Sequence, residues 1–174
     1  MLNTIAMIFT VFVAGVLIVA AMKPGTFRVQ RTRIIHAGPR KIVPLIEDFH
    51  AWRSWSPYEK LDPAMKKVLT GAQKGKGAVY AWEGNVKAGA GRMEIIDSST
   101  SQVRIKLDFI KPFATQNVAE FILEPKCGST NVTWSIQGPS SYLAKVATTF
   151  LSMDRLVGRD FEAGLENLKE LAEA

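Results

Sequence analysis

No acidic residue occurs before Glu47, and from Leu2 to Met22 there is no charge of either sign. The chain is also poor in the residues that build metal and redox sites. Its single cysteine, Cys127, rules out an intramolecular disulfide framework and lies in Lys126-Cys127-Gly128-Ser129, where it reads as a turn residue. Its two histidines, His36 and His50, are not at metal-ligand spacing and have no cysteine cluster to complete a zinc site. The glycine-rich run Gly71 to Gly77 is a residue short of a phosphate loop, with Gly77 where a Ser or Thr would hold the metal, so it reads as a hairpin turn. Nucleophile elbows and dinucleotide fingerprints are missing as well. Neither a cofactor nor a metal is expected.

What is present begins with LNTIAMIFTVFVAGVLIVAAM, residues 2–22. A hydrocarbon core about 30 Å thick needs about 20 apolar residues at helical rise, and this run meets that length. No Lys or Arg precedes it, and Val19-Ala20-Ala21-Met22 passes into Lys23-Pro24 without a small-x-small pattern. It therefore reads as a transmembrane anchor rather than a cleaved signal peptide. Lys23, Arg28, Arg31, Arg33, Arg40 and Lys41 follow before the first acid, and such a flank marks the cytoplasmic side of a span. The expectation is a single-pass protein of the cell (inner) membrane with its C-terminal domain in the cytoplasm. The basic juxtamembrane segment would lie near anionic head groups, which accounts for much of the net charge of +6. These basic residues are not interleaved with aromatics in any nucleic-acid-binding motif, so no nucleic acid is expected as a partner.

Residues 23–26 read as a connector and residues 27–174 as one domain with one core, about 150 residues in all. Phe27 to Ile35, Met65 to Leu69, Ala78 to Glu83, Gly89 to Ile96, Gln102 to Ile110, Gln116 to Leu123 and Thr130 to Gln137 read as strands. Val103, Ile105, Leu107 and Phe109 alternate with Arg104, Lys106 and Asp108, so one sheet face is apolar and the other wet. Pro39 opens one or two short helices containing Ile42, Val43, Ile46 and Phe49. Cover for the apolar face comes from Tyr142 to Leu171, where Leu143, Ala147, Phe150, Val157, Phe161, Leu165 and Leu168 recur as one helical stripe. The spacing predicts an α+β fold: a curved antiparallel β-sheet wrapped around a long C-terminal helix, preceded by a single transmembrane helix.

Some positions carry possible chemistry. Asp154 is four residues after Phe150 and three before Val157, near the middle of the apolar stripe, where a carboxylate needs a partner. It reads either as a polar group inside a pocket or as a structural hydrogen-bonding residue. Gly158, mid-helix, implies a close approach of that helix to a strand. Trp52 and Trp55 share a helical face and read as a core plug, while Glu59 and Asp62 read as solvated carboxylates. Tyr80 and Trp82 share one strand face and Glu83 the other; aromatic burial favours Tyr80 and Trp82 inward.

The stretches Trp52-Arg-Ser-Trp55-Ser-Pro57-Tyr58, Tyr80-Ala-Trp82-Glu-Gly84-Asn85, Val132-Thr-Trp134-Ser and Val157-Gly158-Arg-Asp160-Phe161-Glu-Ala-Gly164-Leu165 resemble the polyketide cyclase/dehydrase and lipid-transport branch of the START-like (SRPBCC) superfamily. The resemblance runs from Phe27 to the C-terminus and implies a helix-grip fold with a hydrophobic pocket between sheet and C-terminal helix. No catalytic signature of an enzyme member matches residue by residue. The candidate pocket residues are Trp55, Tyr80, Trp82, Leu107, Phe109, Phe121, Trp134, Phe150 and Asp154. Three functions stay open: a noncatalytic module holding a lipid or other hydrophobic small molecule, an enzyme of cyclase, aromatase or dehydratase type using Asp154 or Glu83, and a docking domain with a filled cavity.

Overall fold

The computed structural model describes residues 2–150 and 152–174, with side chains for all of these except 2, 3 and 150. Helix α1 (Leu2–Met22) is followed by β1 (Thr26–Ile35), α2 (Pro39–Glu47), α3 (Trp52–Trp55) and a 3-10 turn at Pro57–Lys60. Then come β2 (Lys66–Gly71), β3 (Ala78–Glu83), β4 (Ala90–Ser98), β5 (Gln102–Lys111), β6 (Thr115–Lys126) and β7 (Ser129–Pro139), with α4 (Tyr142–Phe150) and α5 (Met153–Glu173) last. The strands form one antiparallel seven-stranded sheet in the order β1-β7-β6-β5-β4-β3-β2. Helix α5 lies across the β1 end of its concave face and touches β7, α2, α3 and the 3-10 turn. This is the helix-grip α+β architecture.

Local chemistry explains the elements. The β2–β3 turn is the glycine run expected to form a hairpin: Gly71 and Gly77 have φ of 76° and 88°, left-handed values that glycine adopts without a Cβ clash. The tryptophans of α3 form the plug and also finish α2: Trp52 Nε1 donates to Ile46 O and Trp55 Nε1 to Leu45 O, both at 2.9 Å. Two carbonyls left open at the end of a helix are thereby satisfied in the core. Asp62 is not solvated; its Oδ1 accepts from Ala64 N at 3.0 Å and its Oδ2 from Asn85 N at 2.7 Å, tying two loops together.

The C-terminal helical region departs from the single helix expected over Tyr142 to Leu171. It is two helices, and Ser152 is the N-cap of the second, its Oγ accepting from Arg155 N at 3.2 Å. Asp154 consequently sits in the first turn of α5, not mid-stripe, where a carboxylate also suits the helix dipole. Helix α4 packs on α1, so Leu143 and Ala147 do not join the stripe on the sheet; both are exposed. From Val157 onward the stripe holds, with Phe161, Leu165 and Leu168 buried.

The basic segment is also put to a structural use. Arg31 and Arg33 lie on the concave side of β1 and reach α5: Arg31 binds Asp154 and Glu162, and Arg33 binds Glu166. These two arginines hold the helix on the sheet and are engaged there rather than with lipid head groups.

Candidate functional site

Two regions of the concave face differ in how completely they are filled. Under α5 the space is closed by rings. Trp134 of β7 stacks on Phe161 of α5 with centroids 4.0 Å apart and planes 9° from parallel, and on its other side lies Phe121 at 4.9 Å. Trp55 abuts the same indole at 5.6 Å and Tyr58 at 6.2 Å. Gly164 lets α5 approach, since a Cβ there would lie 2.7 Å from Trp134 Cζ3. Trp55, Phe121 and Trp134 of the candidate set therefore belong to this closed stack.

Beyond α5, toward β2 and β3, the ring packing continues but opens. Tyr80 contacts Trp82 at 6.3 Å and Trp82 contacts Phe109 at 5.7 Å, with Trp82 and Phe109 only half-buried. Leu107 precedes Phe109 on the same strand face and is buried. Beside Tyr80 is a cleft of about 270 Å³ between α3, the 3-10 turn and the β2–β3 edge. Phe49, Leu69 and the Tyr80 ring are its apolar lining; His50, Arg53, Glu59 and Lys67 are its polar lining.

Glu59 organises that cleft. Its side chain is only 8% exposed; Oε1 accepts from the Tyr80 hydroxyl at 2.7 Å, and Oε2 is paired with Lys67 Nζ. Burial, then the hydrogen bond to Glu59 and its negative charge, push the Tyr80 hydroxyl well above the ordinary tyrosine range, against a smaller opposing effect of Arg53. The raised value favours the protonated phenol, which donates to Glu59. His50 pairs with Asp48 at 2.8 Å on the rim. Across the fold, Tyr58 is pushed up by burial and by the nearby Asp160 charge, and Asp160 is itself raised by burial.

The remaining candidates lie elsewhere. Asp154 is on the outer side, its side chain 63% exposed, with Oδ1 accepting from Arg31 Nη1 at 2.8 Å and Oδ2 from Nη2 at 3.0 Å. That bidentate pair holds its carboxyl below the usual aspartate range. Glu83 is exposed and pairs with Lys111 at 3.1 Å. Phe150 lies outside the residues whose side chains are described. Glu59, Lys67, Arg53 and Phe49 are the cleft residues that spacing alone does not reveal, because they come from separate elements and meet only through the placement of α3 on the sheet. Among the described residues, no group of three His, Cys, Asp or Glu side chains converges to hold a metal ion.

Residues 26–173 match the family described as polyketide cyclase / dehydrase and lipid transport. The chain belongs to that family. Its fold recurs in solved structures at low identity. The di-domain aromatase/cyclase BexL of the BE-7585A biosynthetic pathway is 15% identical with a TM-score of 0.66, covering 90% of this chain and 53% of BexL. The di-domain aromatase/cyclase StfQ of the steffimycin pathway is 10% identical with a TM-score of 0.65, covering 85% of this chain and 51% of StfQ. This chain thus spans about half the length of either di-domain protein. Protein CV1439 from Chromobacterium violaceum is 13% identical with a TM-score of 0.59, over 87% of this chain and 99% of CV1439. No curated protein matches the chain. For this member of the polyketide cyclase / dehydrase family the shared property is a ligand-binding fold.

Proposed function

We propose that the chain is a membrane-anchored, noncatalytic module that holds a lipid or other hydrophobic small molecule on the part of the concave face that lies beyond α5. The apolar body of the ligand lies along Tyr80, Trp82, Leu107 and Phe109, and its polar end reaches the Glu59 cleft. Helix α1 holds the module at the membrane, with the domain on the cytoplasmic side. The observation that carries this reading is the polar group Glu59–Tyr80–Lys67 beside the half-buried rings of Trp82 and Phe109. Ligand sites are mostly apolar with a few placed polar groups, as here. Tyr80 and Lys67 each engage one oxygen of Glu59, and the Lys67 ammonium has further N–H donors to offer a ligand's polar end. An exposed apolar α1, with side chains such as Phe9 and Val11 exposed, requires an apolar environment, and Thr4–Met22 is long enough to span a bilayer.

A second reading, an acid–base enzyme of cyclase type, draws support from Asp160, whose raised carboxyl lies near Tyr58. Asp154 and Glu83 do not support it, one being clamped by Arg31 and the other paired with Lys111 in solvent. The two readings part on the fate of the bound molecule. Lipids loaded onto the full chain and extracted after prolonged incubation should return at their original masses. A product of new mass, or of the same mass but new chromatographic retention, absent with Asp160→Asn, would replace the carrier reading with the enzymatic one.

A further inference from the structure

Helix α4 is built inside out for a protein in water. Its exposed side is apolar: Leu143 is 77% exposed and Tyr142 47%, with Ala144 and Ala147 beside them. Together with Val146, its polar residues Lys145, Thr148 and Thr149 are half-buried. They are occupied locally, since the Thr148 and Thr149 hydroxyls donate to Lys145 O at 3.1 and 2.9 Å. A short helix on an aqueous surface presents the opposite arrangement. The nine residues contain no acid, and Lys145 is their one charge.

The same helix is fastened to α1. The Tyr142 hydroxyl donates to Leu17 O at 3.0 Å, and Lys23 Nζ lies 3.4 Å from both Lys145 O and Thr148 Oγ1. Ala20 of α1 is fully buried. Leu17 is five residues before Met22, which at 1.5 Å per residue puts the Tyr142 contact about 7 Å inside the end of the span. Interfacial helices bury their apolar faces about 5–10 Å into the headgroup and acyl boundary, and tyrosine is enriched at that level.

We propose that α4 is a second membrane contact, an interfacial helix whose Tyr142–Leu143–Ala144–Ala147 face lies against lipid while Lys23 ties its inner side to α1. The proposal rests on the reading of α1 as a membrane span. Two contacts fix an orientation that one flexible anchor does not. Because two residues separate α4 from α5, the Arg31–Asp154 end of the grip would be held toward the bilayer.

The test uses the full chain in vesicles of phosphatidylethanolamine and phosphatidylglycerol. A polarity-sensitive fluorophore is placed on Leu143→Cys or Phe9→Cys, each combined with Cys127→Ser, or on the native, exposed Cys127. Nitroxide lipids should quench the label at 143 and at 9 several-fold more than the label at 127. Quenching at 9 with none at 143 overturns the α4 contact and leaves the anchor intact. A water-exposed label at 9 overturns the anchor and, with it, this proposal. A label at 143 in an apolar setting that lipid nitroxides do not quench assigns the α4 face to a second copy of the chain, and also overturns lipid contact.

Discussion

The guanidinium of Arg31 fills the space that a side chain on Gly158 would occupy, while it binds the Asp154 carboxylate through two parallel hydrogen bonds of 2.8 and 3.0 Å. At Gly158, helix α5 therefore meets β1 across a flat cation rather than across an aliphatic contact. Alanine at position 158 would gain about 1 kcal/mol of helix propensity but must push the guanidinium off Asp154 and Glu162. Gly158→Ala should destabilise the chain in the wild-type background and stabilise it by about 1 kcal/mol in an Arg31→Ala background. Chemical unfolding of the detergent-solubilised full chain, read by tryptophan fluorescence, supplies the four stabilities of that cycle.

Gly164 faces a harder neighbour. The Trp134 edge beside it is fixed between Phe121 and Phe161 and has no free direction to move. Gly164→Ala should cost about 1–3 kcal/mol by overpacking. Arg31→Ala should leave that cost unchanged, which separates the two glycines of one helix by the stiffness of what they touch.

Two aspartates on α5 should respond to pH with opposite sign. Burial raises the Asp160 carboxyl, so its favourable contribution exists below the unfolded value of 3.8 and is lost as pH rises through the higher folded value. Asp160→Asn should therefore raise Tm at pH 7, with the gain vanishing in acid. The Arg31 hydrogen bonds lower the Asp154 carboxyl, so its contribution is present above 3.8 and lost as pH falls through the depressed folded value. Asp154→Asn should lower Tm at pH 7 and leave it unchanged in strong acid. Thermal scans across the acid range check both signs.

Removing the organiser of the cleft should be costly. Glu59→Ala strips the Tyr80 hydroxyl of its acceptor and Lys67 of its counter-charge in a poorly hydrated site. The expected loss is about 1–3 kcal/mol. Tyr80→Phe, which leaves the Glu59–Lys67 pair in place, should cost less in the same unfolding assay.

The strands are legible in the sequence because period-two alternation survives wherever one sheet face is wet, as Val103, Ile105 and Leu107 show against Arg104 and Lys106. The grip of α5 is legible from Phe161, Leu165 and Leu168 for the analogous reason. The break before Met153 is not read from periodicity, since three-and-four spacing passes through Ser152 unchanged and carries no information on axis direction. The local signal is the N-cap serine with an aspartate two residues on. Asp154 is misplaced by that omission alone. The cleft is less legible still: Glu59, Lys67 and Tyr80 share no motif, and only the register that pairs Leu69 with Tyr80 and Lys67 with Trp82 turns them to one face.

The central claim is that one hydrophobic molecule occupies the open half of the concave face. Native mass spectrometry of the full chain released from mild detergent tests it directly, with wild type compared to Leu69→Trp, which places an indole in the cleft lining. The account predicts a noncovalent adduct of lipid size on the wild type that is absent from a folded Leu69→Trp. Bare wild-type protein after incubation with membrane lipid extract, or the same adduct on both chains, would contradict it.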